Sequence, residues 1–123
     1  VSKYPWATQI SSFKKEVLLR HQEYIPHLAD YVGEERVNCI AFIDLMNKYN
    51  VKKIDFLAID TEGYDLEVIK QVSWEKIKPR IILYEHCHLS PGDQRKARVL
   101  LKKQGYHIKS LQKIVIYAIV VRQ

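Results

Sequence analysis

Glycine is scarce in this chain. Gly33, Gly63, Gly92 and Gly105 are spread over 123 residues, and no two of them form a G-x-G pair. The sequence therefore offers no glycine-rich turn of the kind that lets backbone approach a phosphate or a nucleotide cofactor. Cysteine is scarcer still. Cys39 and Cys87 lie far apart with no CxxC, which excludes a disulfide scaffold and reads as two reduced core thiols in an intracellular protein. No apolar run approaches the ~20 residues of a membrane helix; the longest is Ile114–Val121. No run of five like charges occurs, although 20 Lys and Arg against 14 Asp and Glu give a net charge of +6. The basic residues are scattered, so neither a nucleic-acid arm nor a membrane partner is indicated. The first six residues have no apolar core and no small-residue cleavage site, so no signal peptide is expected. The chain opens on Val1 rather than Met and reads as an internal piece of a longer protein.

What is present is a soluble α/β pattern. With 47% apolar and 28% charged residues, the chain can fill a core. Ser11 and Ser12 stand as N-cap candidates before a helix over 13–20, with Phe13, Val17 and Leu18 on one face. Arg36–Cys39 is a short strand candidate, and 41–49 reads as a helix stopped at Asn50. The middle is clearest. Residues 54–60, Ile-Asp-Phe-Leu-Ala-Ile-Asp, form an apolar run suited to a strand buried on both faces. Thr61-Glu62-Gly63 is a turn, residues 64–72 a helix, and residues 80–85 a second apolar strand. Strand, helix and strand make a βαβ unit. Ser90-Pro91 opens the next helix, Gly105 closes it, and residues 106–111 and 114–122 are two further strands joined by a short link at Gln112-Lys113.

Ligands of open α/β sheets bind at the carboxyl ends of the strands. Two such ends can be named: Asp60, Thr61, Glu62 and Gly63 after the first strand, and Glu85, His86, Cys87 and His88 after the second. If the strands are neighbours, three carboxylates and two imidazoles share one rim, and Asp60 and His86 face one cleft. The plainer expectation is that Asp60 caps a helix and the histidines are solvated loop.

Residues 54–69, Ile-Asp-Phe-Leu-Ala-Ile-Asp-Thr-Glu-Gly-Tyr-Asp-Leu-Glu-Val-Ile, resemble the signature of the FkbM-type methyltransferases. Pro79-Arg80-Ile81-Ile82-Leu83-Tyr84-Glu85-His86, Leu89, and Leu101 with Gly105-Tyr106 also fit, so the resemblance spans most of the chain. It implies the C-terminal portion of a Rossmann-like class I methyltransferase sheet, a parallel βαβ unit followed by an antiparallel C-terminal hairpin. It further implies transfer of a methyl group from S-adenosylmethionine to a hydroxyl of a sugar or natural-product-like acceptor; the cysteine usage and the start of the chain lead to the separate expectation of a cytoplasmic protein. One partial domain covers residues 1–123, without the glycine-rich cofactor-binding half, so the isolated chain is expected to be inactive and to bind the cofactor poorly. His86 is the first choice of general base, Asp60 the second, and Glu85 orients His86 or holds a substrate hydroxyl. Asp60, Thr61 and Glu62 are the cofactor-binding candidates.

The leading assignment includes no metal. Two alternatives stand beside it. Asp60, Glu62, Glu85, His86 and His88 offer oxygen and nitrogen ligands for a divalent ion, with His86 and His88 on one side of an extended segment. A chain without the glycine-rich half could also serve as a non-catalytic interaction module. Tyr4, Trp6, Tyr64 and Trp74 are candidates for stacking on an acceptor ring, though core packing is the commoner role for such residues.

Overall fold

The computed structural model describes residues 4–8, 10–111 and 115–120. Four strands form one sheet: β1 (Phe56–Ile59), β2 (Ile81–Glu85), β3 (Tyr106–Leu111) and β4 (Val115–Val120), in the order β1-β2-β4-β3. β1 and β2 are parallel, with Phe56 opposite Ile81 and Ile59 opposite Tyr84. β4 runs antiparallel to both β2 and β3. The expected link at Gln112-Lys113 lies outside the described residues.

Helix α1 covers Lys15–Leu19, α2 Phe42–Lys48, α3 Asp65–Lys70 and α4 Pro91–Lys103. α3 is the crossover between β1 and β2, as the apolar spacing of Leu66 and Ile69 requires. α4 starts where the sequence places it. Ser90 accepts a hydrogen bond from the Asp93 amide at 3.1 Å, and Pro91 occupies the first turn, where its missing N–H costs nothing. Gly105 ends the helix region at φ 80°.

One face of the sheet carries the core. Ile59, Ile82, Tyr84 and Tyr106 pack against Leu66 and Ile69 of α3, Ala97 and Leu101 of α4, and Leu89. The Tyr106 hydroxyl donates to the Pro79 carbonyl, tying β3 to the segment that enters β2. Trp74 meets the Tyr106 ring edge-on, with centroids 5.9 Å apart; this aromatic belongs to the packing. The side chain of Trp6 is outside the description.

Three expectations need correction. β1 is not buried on both faces: Phe56 is 54% exposed and Ala58 is exposed. The reason is position, since β1 is an edge strand and the described helices of the core cover one face. Residues 36–39 form no strand; Val37 is 55% exposed and has no sheet partner among the described residues to satisfy its backbone. Both cysteines are free, as expected, but both are exposed rather than core.

Ser12 also departs from its expected role. Helix α1 begins at Lys15 with Lys14 at the cap position and no side-chain cap. The Ser12 hydroxyl instead accepts from the Lys14 amide at 3.0 Å and donates to the Glu62 carbonyl at 2.6 Å. It joins the N-terminal segment to the end of β1.

Candidate functional site

The parallel register decides the geometry. Ile59 pairs with Tyr84, so Asp60 and Glu85 follow as the next residues on the same edge. Side chains of paired parallel residues point the same way, and successive ones alternate. Ile82, Tyr84 and His86 are buried, while Ile81, Leu83 and Glu85 are half-buried. The alternation continues through His86 and puts it on the core face, and Glu85 on the other. Asp60 is exposed on the Glu85 side. Oxygens of Asp60, Glu62 and Glu85 lie within 4.8 Å of one another.

The strand ends therefore meet at one edge, but the imidazole that reaches the carboxylates is His88. After β2 the chain turns. The Leu89 amide donates to the His86 carbonyl at 3.1 Å, and Gln94 of α4 donates to the carbonyls of His86 and Leu89 at 3.0 and 3.2 Å. This folds His88 back over Glu85. Its Nε2 lies 3.6 Å from Glu85 Oε2 and 3.2 Å from Glu62 Oε2. The segment is a turn rather than an extended strand, so His86 and His88 do not share a side. His86 is 8% exposed, and neither of its ring nitrogens has a hydrogen-bond partner among the described residues.

The turn after β1 is held from beneath. Asp65 is fully buried. Its Oδ2 accepts from Thr61 Oγ1 at 3.1 Å and from the Gly63 amide at 3.3 Å. Burial raises the Asp65 carboxyl above its ordinary 3.8, opposed by these hydrogen bonds. Glu62 and Gly63 both take positive φ, 49° and 92°. A Cβ on Gly63 would lie 3.0 Å from Val17 Cγ2 and 3.2 Å from the His88 carbonyl. Glycine is required there for conformation and for space. Thr61 is thus committed to the turn, and Glu62 to His88.

Burial raises the Glu85 carboxyl; the Cys87 thiol and His88 lower it, and the charges of Asp60 and Glu62 raise it further. The Cys87 thiol is pushed up to about 12, mainly by burial and then by Glu85. Burial is the main cause of both shifts and the neighbouring carboxylates add to it, a combination found in ligand-binding clefts.

A cavity of about 790 Å³ opens beside the rim, within the ~300–1,000 Å³ range of small-molecule sites. Ile10, Leu18, Ile25 and Leu28 give it apolar walls, and Asp60 and Thr61 form its end at the sheet. Phe13, on the same cavity, stacks obliquely on Tyr64 with centroids 5.0 Å apart.

Two residues escaped sequence reasoning. Asp65 carries a signal in retrospect, an acidic residue two positions after the Gly63 that needs its turn stabilised. His21 carries none. It lies forty-one residues before Glu62 in the 3₁₀ segment Arg20–Glu23, and its ring sits 5.7 Å from that of His88.

A family model described as the methyltransferase FkbM domain matches residues 4–108. No curated protein and no solved structure matches the chain.

Proposed function

Because the chain belongs to the FkbM methyltransferase family, we propose that it is part of an S-adenosylmethionine-dependent O-methyltransferase with a Rossmann-like class I sheet, acting on a hydroxyl of a sugar or natural-product-like acceptor. The observation that carries this reading is the register of β1 with β2, which sets Asp60 beside Glu85 at the mouth of the cavity.

The cavity walls suit such a cofactor. Apolar side chains offer a surface for a flat ring, and the exposed Asp60 carboxylate offers an acceptor for its hydroxyl or ammonium groups. Thr61 shares that wall, whereas Glu62 faces His88. Bound S-adenosylmethionine supplies an electrophilic methyl group on sulfur. The acceptor oxygen must lose its proton as it takes the methyl, and base help of this kind contributes ~10²–10⁴ in rate. Asp60 takes that proton in this reading. Glu85, whose carboxyl is raised by burial, stands beside it to hold the hydroxyl. His86, first among the bases by sequence, is placed behind them on the core face. A cytoplasmic setting accords with two free, exposed thiols. Among the described residues, no helix is long and apolar enough to cross a membrane.

The test is transfer from methyl-labelled S-adenosylmethionine to hexoses and hydroxylated macrolides, with cofactor binding followed by calorimetry. Label recovered as methyl ether, and lost in Asp60→Asn, supports the reading. Both measurements are made on the full-length protein of which this chain is part, and a folded full-length protein that neither binds the cofactor nor transfers label refutes it.

A further inference from the structure

His21 and His88 bring two imidazoles to the carboxylate of Glu62, and one ligand atom from each of the three lies within 4.8 Å of the others. The set is drawn from three places: the 3₁₀ segment Arg20–Glu23, the turn after β1, and the turn after β2. We propose that His21, Glu62 and His88 form a binding site for a divalent ion of the zinc class.

The first support is a conflict between acceptors. Glu62 Oε2 is buried and makes no hydrogen bond among the described residues, yet it stands 3.2 Å from His88 Nε2. Two lone-pair atoms that close repel unless a proton or a cation lies between them. The separation matches the edge of a tetrahedron with bonds of ~2.1 Å, which is about 3.4 Å. The second support is charge. A single proton on His88 Nε2 serves one carboxylate, but Glu85 Oε2 also approaches the same nitrogen at 3.6 Å. Among the described residues no Lys or Arg pairs with Asp60, Glu62 or Glu85, although the chain as a whole is at +6. A divalent ion neutralises what the scattered lysines leave bare.

Ligand type selects the ion. Two imidazole nitrogens and one carboxylate oxygen make a borderline-soft set, suited to Zn²⁺ rather than to Mg²⁺ or Ca²⁺, which take oxygen. Three protein ligands leave a fourth position for water or for Glu85. The site stands independently of the methyl-transfer reading, because it is tested without cofactor or acceptor.

The experiment is calorimetric titration of EDTA-treated full chain with ZnCl₂, with cobalt substitution as a second readout. One ion per chain is expected to bind in the micromolar range. His21→Ala, Glu62→Gln and His88→Ala should each weaken binding about tenfold or more, while His107→Ala on the exposed start of β3 should leave it unchanged. Folding of each variant is checked by circular dichroism. If a histidine variant unfolds, the visible absorption of the cobalt-loaded parent decides, since tetrahedral imidazole ligation gives an intense band. Absence of saturable zinc binding by the folded parent, absence of that band, or zinc binding that survives in the folded His21/His88 double variant overturns the proposal. Zinc binding by this chain together with a full-length protein that transfers no methyl group sustains the site while refuting the methyl-transfer reading.

Discussion

The buried carboxylate of Asp65 accepts a hydrogen bond from the Thr61 hydroxyl at 3.1 Å, four residues back along the chain. The same oxygen takes the Gly63 amide, so one side chain fixes the turn on which Asp60, Thr61 and Glu62 stand. Burial raises the Asp65 carboxyl above 3.8. A folded-state value above the unfolded one means that the group favours folding most below the unfolded value, and that this contribution fades as pH rises through the folded value. Asp65→Asn keeps one acceptor oxygen and removes the titration. Its stability relative to the parent is therefore expected to improve as pH rises from about 3.5 toward neutrality, read from urea midpoints at several pH values. Parallel pH profiles for the two proteins would refute this.

Gly63→Val should destabilise the fold. The position combines φ 92° with a backbone carbonyl, that of His88, 3.2 Å from any added Cβ. Strain of this kind costs about 1–3 kcal/mol, and a β-branched residue is placed at the upper end. A thermal melt should show a clear drop in midpoint, and superposition on the parental curve would contradict the turn geometry.

For methyl transfer by the full-length enzyme, Asp60→Asn and Glu85→Gln are expected to reduce kcat by about 10²-fold or more while leaving thermal midpoints close to the parent. His86→Ala should do the reverse, since His86 is 8% exposed and lies on the core face: a lower midpoint, with kcat reduced less than in Asp60→Asn. Equal kcat losses for His86→Ala and Asp60→Asn would return the base role to the histidine.

Cys87 is exposed as a residue, yet its thiol is pushed up to about 12 by burial and by Glu85. Little of it is then thiolate at pH 8. In a Cys39→Ser background, alkylation by iodoacetamide should be slow and should accelerate in Glu85→Gln, followed by mass spectrometry. A parental rate equal to that of free glutathione would show that the carboxylate does not act on the sulfur.

The Tyr106 hydroxyl donates to the Pro79 carbonyl across twenty-seven residues. Tyr106→Phe leaves a buried carbonyl without its donor, a loss of about 1–3 kcal/mol. Denaturant midpoints would register it, and an unchanged midpoint would mean that water replaces the hydroxyl.

Residues 56–59, 65–70, 81–85 and 91–103 form the strands and helices that apolar periodicity and capping chemistry indicate. Those signals are local: a helical face, a Ser-Pro start and a glycine stop act within a turn or two of chain. The failures are nonlocal. Val37 and its neighbours have strand-like composition, but a strand exists only where a partner supplies the other half of the ladder, and residues 36–39 have none among the described residues. Ser12 has the chemistry of a cap, and it is used on the Glu62 carbonyl fifty residues away.

The sequence by itself determined that two strand ends carry Asp60 and Glu85 and that one crossover helix separates them, because side-chain spacing along a single segment fixes its secondary structure and its length. The family motif is likewise written in contiguous residues. Only the tertiary structure decided which imidazole meets those carboxylates. A turn pinned by Gln94 reverses the chain after Glu85, so His86 goes into the core and His88 to the rim. Only packing of the N-terminal segment brings His21 to the same place. Rim contacts such as these are made through space between segments whose separation along the chain carries no period, and no pattern in one segment can report where another will lie.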